Sequence, residues 1–87
     1  MIEFKGVTKV YPNGTVALDD VDFFVGKGEF VFILGRSGAG KSTLLKLILR
    51  EEAATSGEII VGDYNLATIK EKQIPYLRRN LGVVFQD

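Results

Sequence analysis

Cysteine and histidine are both absent from this 87-residue chain. Without cysteine the chain cannot form a disulfide, bind a metal through thiolates or use a thiolate nucleophile. Without histidine it has no imidazole for acid–base catalysis near neutral pH or for metal binding. Disulfides, thiolate chemistry, structural zinc and imidazole catalysis are therefore excluded within these residues.

The chain also lacks a net charge and a long apolar run. Lys and Arg together number 11, as do Asp and Glu, so the formal net charge is 0. This balance gives no sign of a nucleic-acid-binding surface, and we predict no nucleic-acid partner. No apolar run approaches the roughly 20 residues that cross a bilayer, and the N-terminus lacks the apolar core of a secretory signal. We expect one small soluble domain that reaches a membrane only through a partner.

One octapeptide carries the most specific chemical signal: Gly35-Arg36-Ser37-Gly38-Ala39-Gly40-Lys41-Ser42. It matches the phosphate-binding pattern G-x-x-x-x-G-K-[ST] at every fixed position. Its glycines let the backbone approach an anion, so that successive N–H groups form a nest for phosphate at a helix N-terminus. We predict that Lys41 adds positive charge for the outer phosphates and that the Ser42 hydroxyl binds Mg²⁺. The pattern indicates a nucleoside triphosphate with Mg²⁺.

The flanking residues supply the strand–loop–helix context that this loop requires. Residues 30–34 are an unbroken apolar run, which predicts a strand buried on both faces of a parallel sheet. Residues 41 to about 52 are apolar over a wide arc, which predicts a helix packed on more than one side, with Thr43, Lys46 and Arg50 together on its polar side. A glycine-rich turn beside an ordinary core helix is the competing interpretation, and the agreement of pattern with context disfavours it.

The N-terminal residues predict an antiparallel hairpin. Residues 2–11 alternate between apolar and polar, with a bulge or bend at Gly6-Val7. Residues 17–25 alternate as well, and Pro12-Asn13-Gly14 is a strong turn signal between the two strands. Tyr11 near the tip of this hairpin has two interpretations. From position alone a half-buried turn tyrosine is favoured over an aromatic plate for a purine base.

The C-terminal half predicts two more strands and one more helix. Residues 58–61 predict a strand, and residues 64–73 a loop with a short helical turn. Residues 74–80 predict a helix with proline in its first turn. Within it, Arg78-Arg79 is interpreted as a solvated face rather than a basic contact patch. Residues 81–85 predict a final strand.

The order of these features resembles the first part of an ABC-type ATPase domain. The hairpin with its tyrosine is followed by the phosphate loop, by Thr55-Ser56-Gly57-Glu58-Ile59 and by Val84-Phe85-Gln86. The resemblance covers the whole chain, which looks like roughly the first two-fifths of such a domain. It implies an α/β P-loop NTPase fold whose N-terminal part combines an antiparallel β subdomain with the phosphate-loop strand and helix. Residues 1–87 would then be the incomplete N-terminal part of a single nucleotide-binding domain.

This resemblance also implies roles for individual residues. Tyr11 would stack on adenine, which reverses the preference from position alone, and residues 35–43, Thr43 included, would bind the phosphates of ATP. Gln86 would approach Mg²⁺ and the attacking water, and would start the segment that contacts the membrane partner. Arg36 and Ala54 stand where the family more often has proline, and we expect little effect from either change.

Three segments are most similar to the branch of the family that serves bacterial cell division. They are Gly28-Glu29-Phe30-Val31-Phe32, Ser42-Thr43-Leu44-Leu45-Lys46-Leu47-Ile48, and Ile74-Pro75-Tyr76-Leu77-Arg78-Arg79 running into Gly82-Val83-Val84-Phe85-Gln86-Asp87. The resemblance implies a homodimeric ATPase subunit that acts on an FtsX-like permease. It would lie on the cytoplasmic face of the plasma membrane, bound through that permease.

Part of the family's catalytic machinery has no match in these residues. No stretch matches the signature loop Leu-Ser-Gly-Gly-Gln, and the histidine that senses the γ-phosphate is absent. Glu51 and Glu52 are ill placed to activate water. Hydrolysis needs an oriented water as well as charge stabilisation, so we expect these 87 residues alone to be inactive. We also expect them to fold poorly alone, because the strand predicted at residues 30–34 lacks the later strands that should flank it, which leaves apolar edges unpaired.

Three other functions remain open from the sequence. One is another ABC ATPase, for lipoprotein release or amino-acid import. A second is a P-loop kinase or GTPase outside the family, against which Tyr11 and Gln86 speak. The third is a module that binds a nucleotide or a partner without catalysis.

Overall fold

Two alternating segments form the first hairpin of the fold. The structure is a computed structural model that describes residues 1–26 and 41–85. Strand β1 (Ile2–Val10) pairs antiparallel with β2 (Val16–Val25). Between them the Gly14 N–H donates to the Tyr11 carbonyl at 2.8 Å, which closes the turn. The predicted hairpin and its turn are confirmed, whereas the strand predicted at residues 30–34 lies outside the described residues.

A four-stranded antiparallel sheet extends this hairpin in the order β2-β1-β3-β4. Strand β3 (Ser56–Val61) pairs with β1 and contains the strand predicted at residues 58–61. The next segment, predicted as a loop with a helical turn, forms the short strand β4 (Tyr64–Asn65) and a 3₁₀ turn (Glu71–Gln73). The helical turn is confirmed, and the pairing of β4 with β3 was not predicted.

Two glycines mark a close approach of β1 and β3. Gly6 has a φ of +56° and lies where β1 carries one extra residue relative to both of its neighbours, which confirms the predicted bulge. Gly57 has a φ of +92°, and a Cβ added there would lie 2.3 Å from the Gly6 carbonyl oxygen. A side chain cannot fit at that distance, so Gly57 has a structural role in the fold.

Helix α1 (Lys41–Ile48) begins at the last two residues of the phosphate-loop sequence and is shorter than predicted. The expectation that it reaches about residue 52 is wrong, because Arg50 takes a left-handed φ of +61°. The Arg50 N–H donates to the Leu47 carbonyl at 3.1 Å and the Glu51 N–H to the Lys46 carbonyl at 2.9 Å. These two bonds form a Schellman motif, which ends a helix.

Helix α2 (Ile74–Phe85) corrects the strand predicted at residues 81–85. A short apolar run cannot be assigned to a strand or a buried helix by periodicity alone. Here Leu77 and Leu81 are four residues apart and both buried, so one buried helix face includes the start of the apolar run. Among the described residues no strand lies beside this segment to pair with it.

One apolar cluster joins the sheet to both helices. Within it the rings of Phe4 and Phe23 stack at 4.5 Å between centroids, as a cross-strand pair of the hairpin. The cluster fixes α1 against the sheet and thereby sets the start of that helix relative to the end of β1. Its buried members are Ile2, Phe4, Val7, Val25, Leu44, Leu47, Ile48, Ile59, Val61, Leu66, Leu77 and Leu81.

Candidate functional site

The last two residues of the phosphate-loop sequence lie on a helix, as predicted. Lys41 and Ser42 occupy the first turn of α1, and this turn contains no acidic residue. The first N–H groups of a helix lack intrahelical partners and, with the helix dipole, favour an anion. The start of α1 therefore fits the phosphates that the sequence predicts there. Residues 35–40 lie outside the described residues.

Tyr11 connects the end of β1 to α1. Its hydroxyl donates to the Oε1 atom of Glu52 at 2.9 Å and lies 3.2 Å from the Oγ1 atom of Thr43. A phenol hydroxyl has one hydrogen to donate, and here it donates that hydrogen to Glu52. The Thr43 hydroxyl therefore donates to the Tyr11 oxygen. The half-buried tyrosine thus joins the first turn of the helix to the segment that follows it.

Thr43 corrects one detail of the sequence analysis. It was predicted to share the polar side of the helix with Lys46 and Arg50, but it is only 7% exposed. Lys46 is exposed, as predicted. The hydroxyl of Thr43 is satisfied by Tyr11, which explains how a polar side chain is tolerated at this buried position.

Lys9 completes a polar group that we call the Tyr11 cluster: Lys9, Tyr11, Thr43 and Glu52. The Lys9 ammonium lies 5.2 Å from the centroid of the Tyr11 ring, within the range of a cation–π contact. It also donates to the Ala53 carbonyl at 2.8 Å and lies 4.0 Å from the Glu52 carboxylate. The Lys9 ammonium therefore contacts both the Tyr11 ring and the segment that binds the Tyr11 hydroxyl.

Thr55 holds residues 52–55 along the end of β1 through hydrogen bonds. The Val10 N–H donates to the Thr55 Oγ1 atom at 2.9 Å, and the Thr55 N–H donates to the Thr8 carbonyl at 2.9 Å. The sequence around Thr55, one of the segments that carry the family resemblance, is thus used to hold residues 52–55 in place. This pairing brings Glu52 to within hydrogen-bond distance of Tyr11.

The structure brings some predicted site residues together and does not describe others. Tyr11 and Thr43 are in direct contact, one residue beyond Ser42 on α1. Gln86 lies outside the described residues, as do residues 35–40. The stacking of Tyr11 on adenine therefore stays a prediction, as does the role of Gln86 with Mg²⁺.

Lys9 and Glu52 are members of the cluster that the sequence analysis missed. Glu52 lies 41 positions from Tyr11 along the chain. No periodicity or motif spans that distance, and an acidic residue after a helix usually lies in solvent. A single sequence contains no signal that would have identified this pair.

The arginine pair of α2 is exposed, as predicted, but one member has a structural contact. Arg78 donates through Nε to the Leu49 carbonyl at 3.0 Å, just beyond the end of α1. The Arg79 guanidinium lies 5.5 Å from the ring of Tyr76. A basic side chain at the carbonyl end of a helix is favourable, so Arg78 links the two helices.

Other possible sites in the described residues are less well supported. A cavity of about 190 Å³ lies beside Glu52, but neither Tyr11 nor Thr43 lines it. Across residues 1–26 and 41–85, acidic side chains do not form a group of three that could hold a metal. The two helices of these ranges are also too short or too polar to span a bilayer. The start of α1 with the Tyr11 cluster is therefore the best-supported site.

Comparison with known proteins gives consistent results. A family model described as ABC transporter matches residues 18–87. The cell division ATP-binding protein FtsE of Bacillus subtilis (strain 168) is 56% identical over 87 residues, which are 100% of this chain and 38% of that protein. The phosphonates import ATP-binding protein PhnC of Bacillus cereus is 48% identical over 86 residues, which are 99% of this chain and 34% of that protein.

A solved structure is also similar. It is a dimeric post-hydrolysis state of the ATP-binding cassette MJ0796 bound to ADP and Pi, with a TM-score of 0.68 and 27% identity. The match covers 91% of this chain and 35% of that one. The chain thus spans well under half the length of the proteins that it matches.

Proposed function

This chain belongs to the ABC transporter family and has the fold of the N-terminal part of an ABC ATPase, and we propose that residues 1–87 are part of one nucleotide-binding domain in the ATPase subunit of a bacterial cell-division complex. The observation that supports the cell-division branch is the 56% identity to FtsE of Bacillus subtilis over the whole chain. The similarity of residues 74–79 and 82–87 to that branch points the same way.

ATP and Mg²⁺ are the proposed ligands. The start of α1, free of acidic residues in its first turn, fits a triphosphate, and residues 35–43 would surround it. Lys41 would place its charge at the outer phosphates, and the oxygens of Ser42 and Gln86 would hold Mg²⁺. When bound, Mg²⁺ neutralises charge on the phosphates. Tyr11 would stack on adenine, and Gln86 would orient the attacking water.

We infer that the protein acts as a homodimer on a membrane partner. Two subunits would close around ATP and reopen after hydrolysis, and this motion would pass to an FtsX-like permease. The protein would then lie at the cytoplasmic face of the plasma membrane without crossing it. The segment that starts at Gln86 would make the contact with the permease.

Lys41→Ala in the full-length protein tests the proposed activity. We expect the rate of phosphate release from ATP to fall by about 100-fold or more, because a preorganised charge at the transferred phosphate is lost. Lys46→Ala is the matched control, since Lys46 is exposed on the same helix. Equal rates in the two variants would contradict the assignment of the phosphate site.

Phosphonate import is the second candidate, because PhnC of Bacillus cereus is 48% identical over nearly the whole chain. Complementation separates the two functions. We expect the full-length protein to restore septation in a strain without FtsE. Restored growth on a phosphonate as the only phosphorus source, in a strain without PhnC and without rescue of septation, would favour import instead.

A further inference from the structure

We propose that Glu52 is a positioning residue that holds the Tyr11 ring in place for the nucleotide base and thereby sets affinity for the base rather than for the phosphates. This inference rests on the proposed function, and it adds a residue to which neither the sequence analysis nor the family resemblance gives a role.

Two hydrogen bonds fix the Tyr11 hydroxyl at one point. The Tyr11 hydroxyl donates to Glu52 at 2.9 Å, and the oxygen of this hydroxyl accepts from Thr43 at 3.2 Å. Glu52 is the stronger anchor, because a hydrogen bond to an ionised acceptor is stronger than one between neutral groups. The Glu52 side chain is only 29% exposed, so water competes weakly for the carboxylate.

Lys9 restricts the motion that these two bonds leave open. A phenol ring pinned at its hydroxyl can still turn about its long axis. The Lys9 ammonium, 5.2 Å from the ring centroid and bound to the Ala53 carbonyl, favours one ring orientation. Since base stacking depends on the orientation of the ring face, the Tyr11 cluster presents the ring in a fixed position before a ligand arrives.

Thr43 sets the ring relative to the phosphate end of the site. It follows Ser42 directly on α1, so its bond to Tyr11 places the ring against the first turn of the helix. A nucleotide that spans both parts then meets two groups whose separation is already fixed. Release of the ring would weaken the base contact and leave the helix, with its phosphate-binding start, intact.

The test compares two ligands on the full-length protein, Mg-ATP and Mg-tripolyphosphate, the second of which has no base. We expect Glu52→Ala to weaken ATP binding about fivefold, a part of what loss of a stacking ring costs. Tripolyphosphate binding should change by less than about twofold, within the scatter of single-site effects. Glu52→Gln keeps an acceptor oxygen and should restore ATP binding. Glu51→Ala is the matched control, because Glu51 is exposed and its side chain forms no hydrogen bond or ion pair among the described residues.

The outcomes distinguish this inference from the proposed function. If Glu52→Ala weakens both ligands equally, or neither, Glu52 does not position the ring. Tyr11→Phe keeps the ring without its hydroxyl and should show the same split, which covers the case in which Glu52→Ala fails to fold. A wild-type protein that binds neither ligand would overturn the proposed function and this inference with it.

Discussion

Gly6 within β1 and Tyr11 just beyond its end are held to the rest of the fold by different kinds of contact. At Gly6 the strand touches β3 backbone to backbone, where a Cβ on Gly57 would lie 2.3 Å from the Gly6 carbonyl oxygen. The Tyr11 side chain is held by hydrogen bonds to two other side chains. Any side chain at Gly57 disturbs the first contact, whereas the two bonds of Tyr11 can be removed singly. We therefore expect the contact at Gly6 to govern stability and the contacts of Tyr11 to govern ligand binding.

Gly57→Ala gives the largest expected effect. It should lower the free energy of unfolding by about 4 kcal/mol, since it adds a steric clash to the cost of a positive φ. Denaturant titration of the full-length protein, followed by circular dichroism, measures the loss. Gly14→Ala is a close control, because Gly14 has a φ of +91° and nothing within 4 Å of an added Cβ. It should lose only about 1 kcal/mol, and equal losses would show that the close approach does not matter.

Tyr11→Phe probes the contacts beyond the end of β1. We expect a loss of about 1 kcal/mol in the free energy of unfolding, because the buried Thr43 hydroxyl loses its partner while partly exposed Glu52 regains water. The same titration measures it. Tyr76→Phe is the control, since Tyr76 is 56% exposed and its hydroxyl has no bond among the described residues. A loss as large as that of Gly57→Ala would remove the distinction between the contact at Gly6 and those of Tyr11.

Arg50→Gly gives the smallest expected effect, and Arg50→Ala is compared with it. Arg50→Ala removes the bond from Nε to the Leu66 carbonyl and keeps the left-handed φ, so it should cost about 1 kcal/mol. Arg50→Gly removes the same bond but relieves the backbone, so it should change stability by about 0 kcal/mol. Thermal unfolding of the two variants compares them directly. Equal losses would mean that the backbone at Arg50 is not strained.

Local patterns predicted the parts of the fold that local forces determine. The turn at residues 12–14 and the bulge at Gly6 depend on proline, asparagine and glycine, whose backbone preferences can be read directly. Residues 81–85 could not be assigned in this way, because the same apolar run suits a buried strand or a helix that continues the stripe of Leu77. Tertiary packing decides between them.

The candidate site likewise has one part that local patterns predict and one part that depends on tertiary packing. A contiguous motif precedes and includes the start of α1, so the sequence predicted a helix that begins near Lys41. The anchoring of Tyr11 depends on Glu52, which reaches it only because Thr55 lies along the end of β1. A contact of that range is a product of the whole fold, and the sequence could identify only one of its partners.

The extra residue at Gly6 also shifts the alternation of side chains between the two faces of the sheet along β1. In a regular strand, residues 4 and 7 face opposite sides of the sheet, yet Phe4 and Val7 are both buried. Beyond the bulge, odd-numbered positions therefore take the side that even-numbered positions held before it. Lys9 and Tyr11 follow Val7 in this shifted alternation, so their side chains lie on the side of the sheet that faces α1. A single inserted residue thus decides, five positions away, that the Tyr11 side chain and α1 share one side of the sheet.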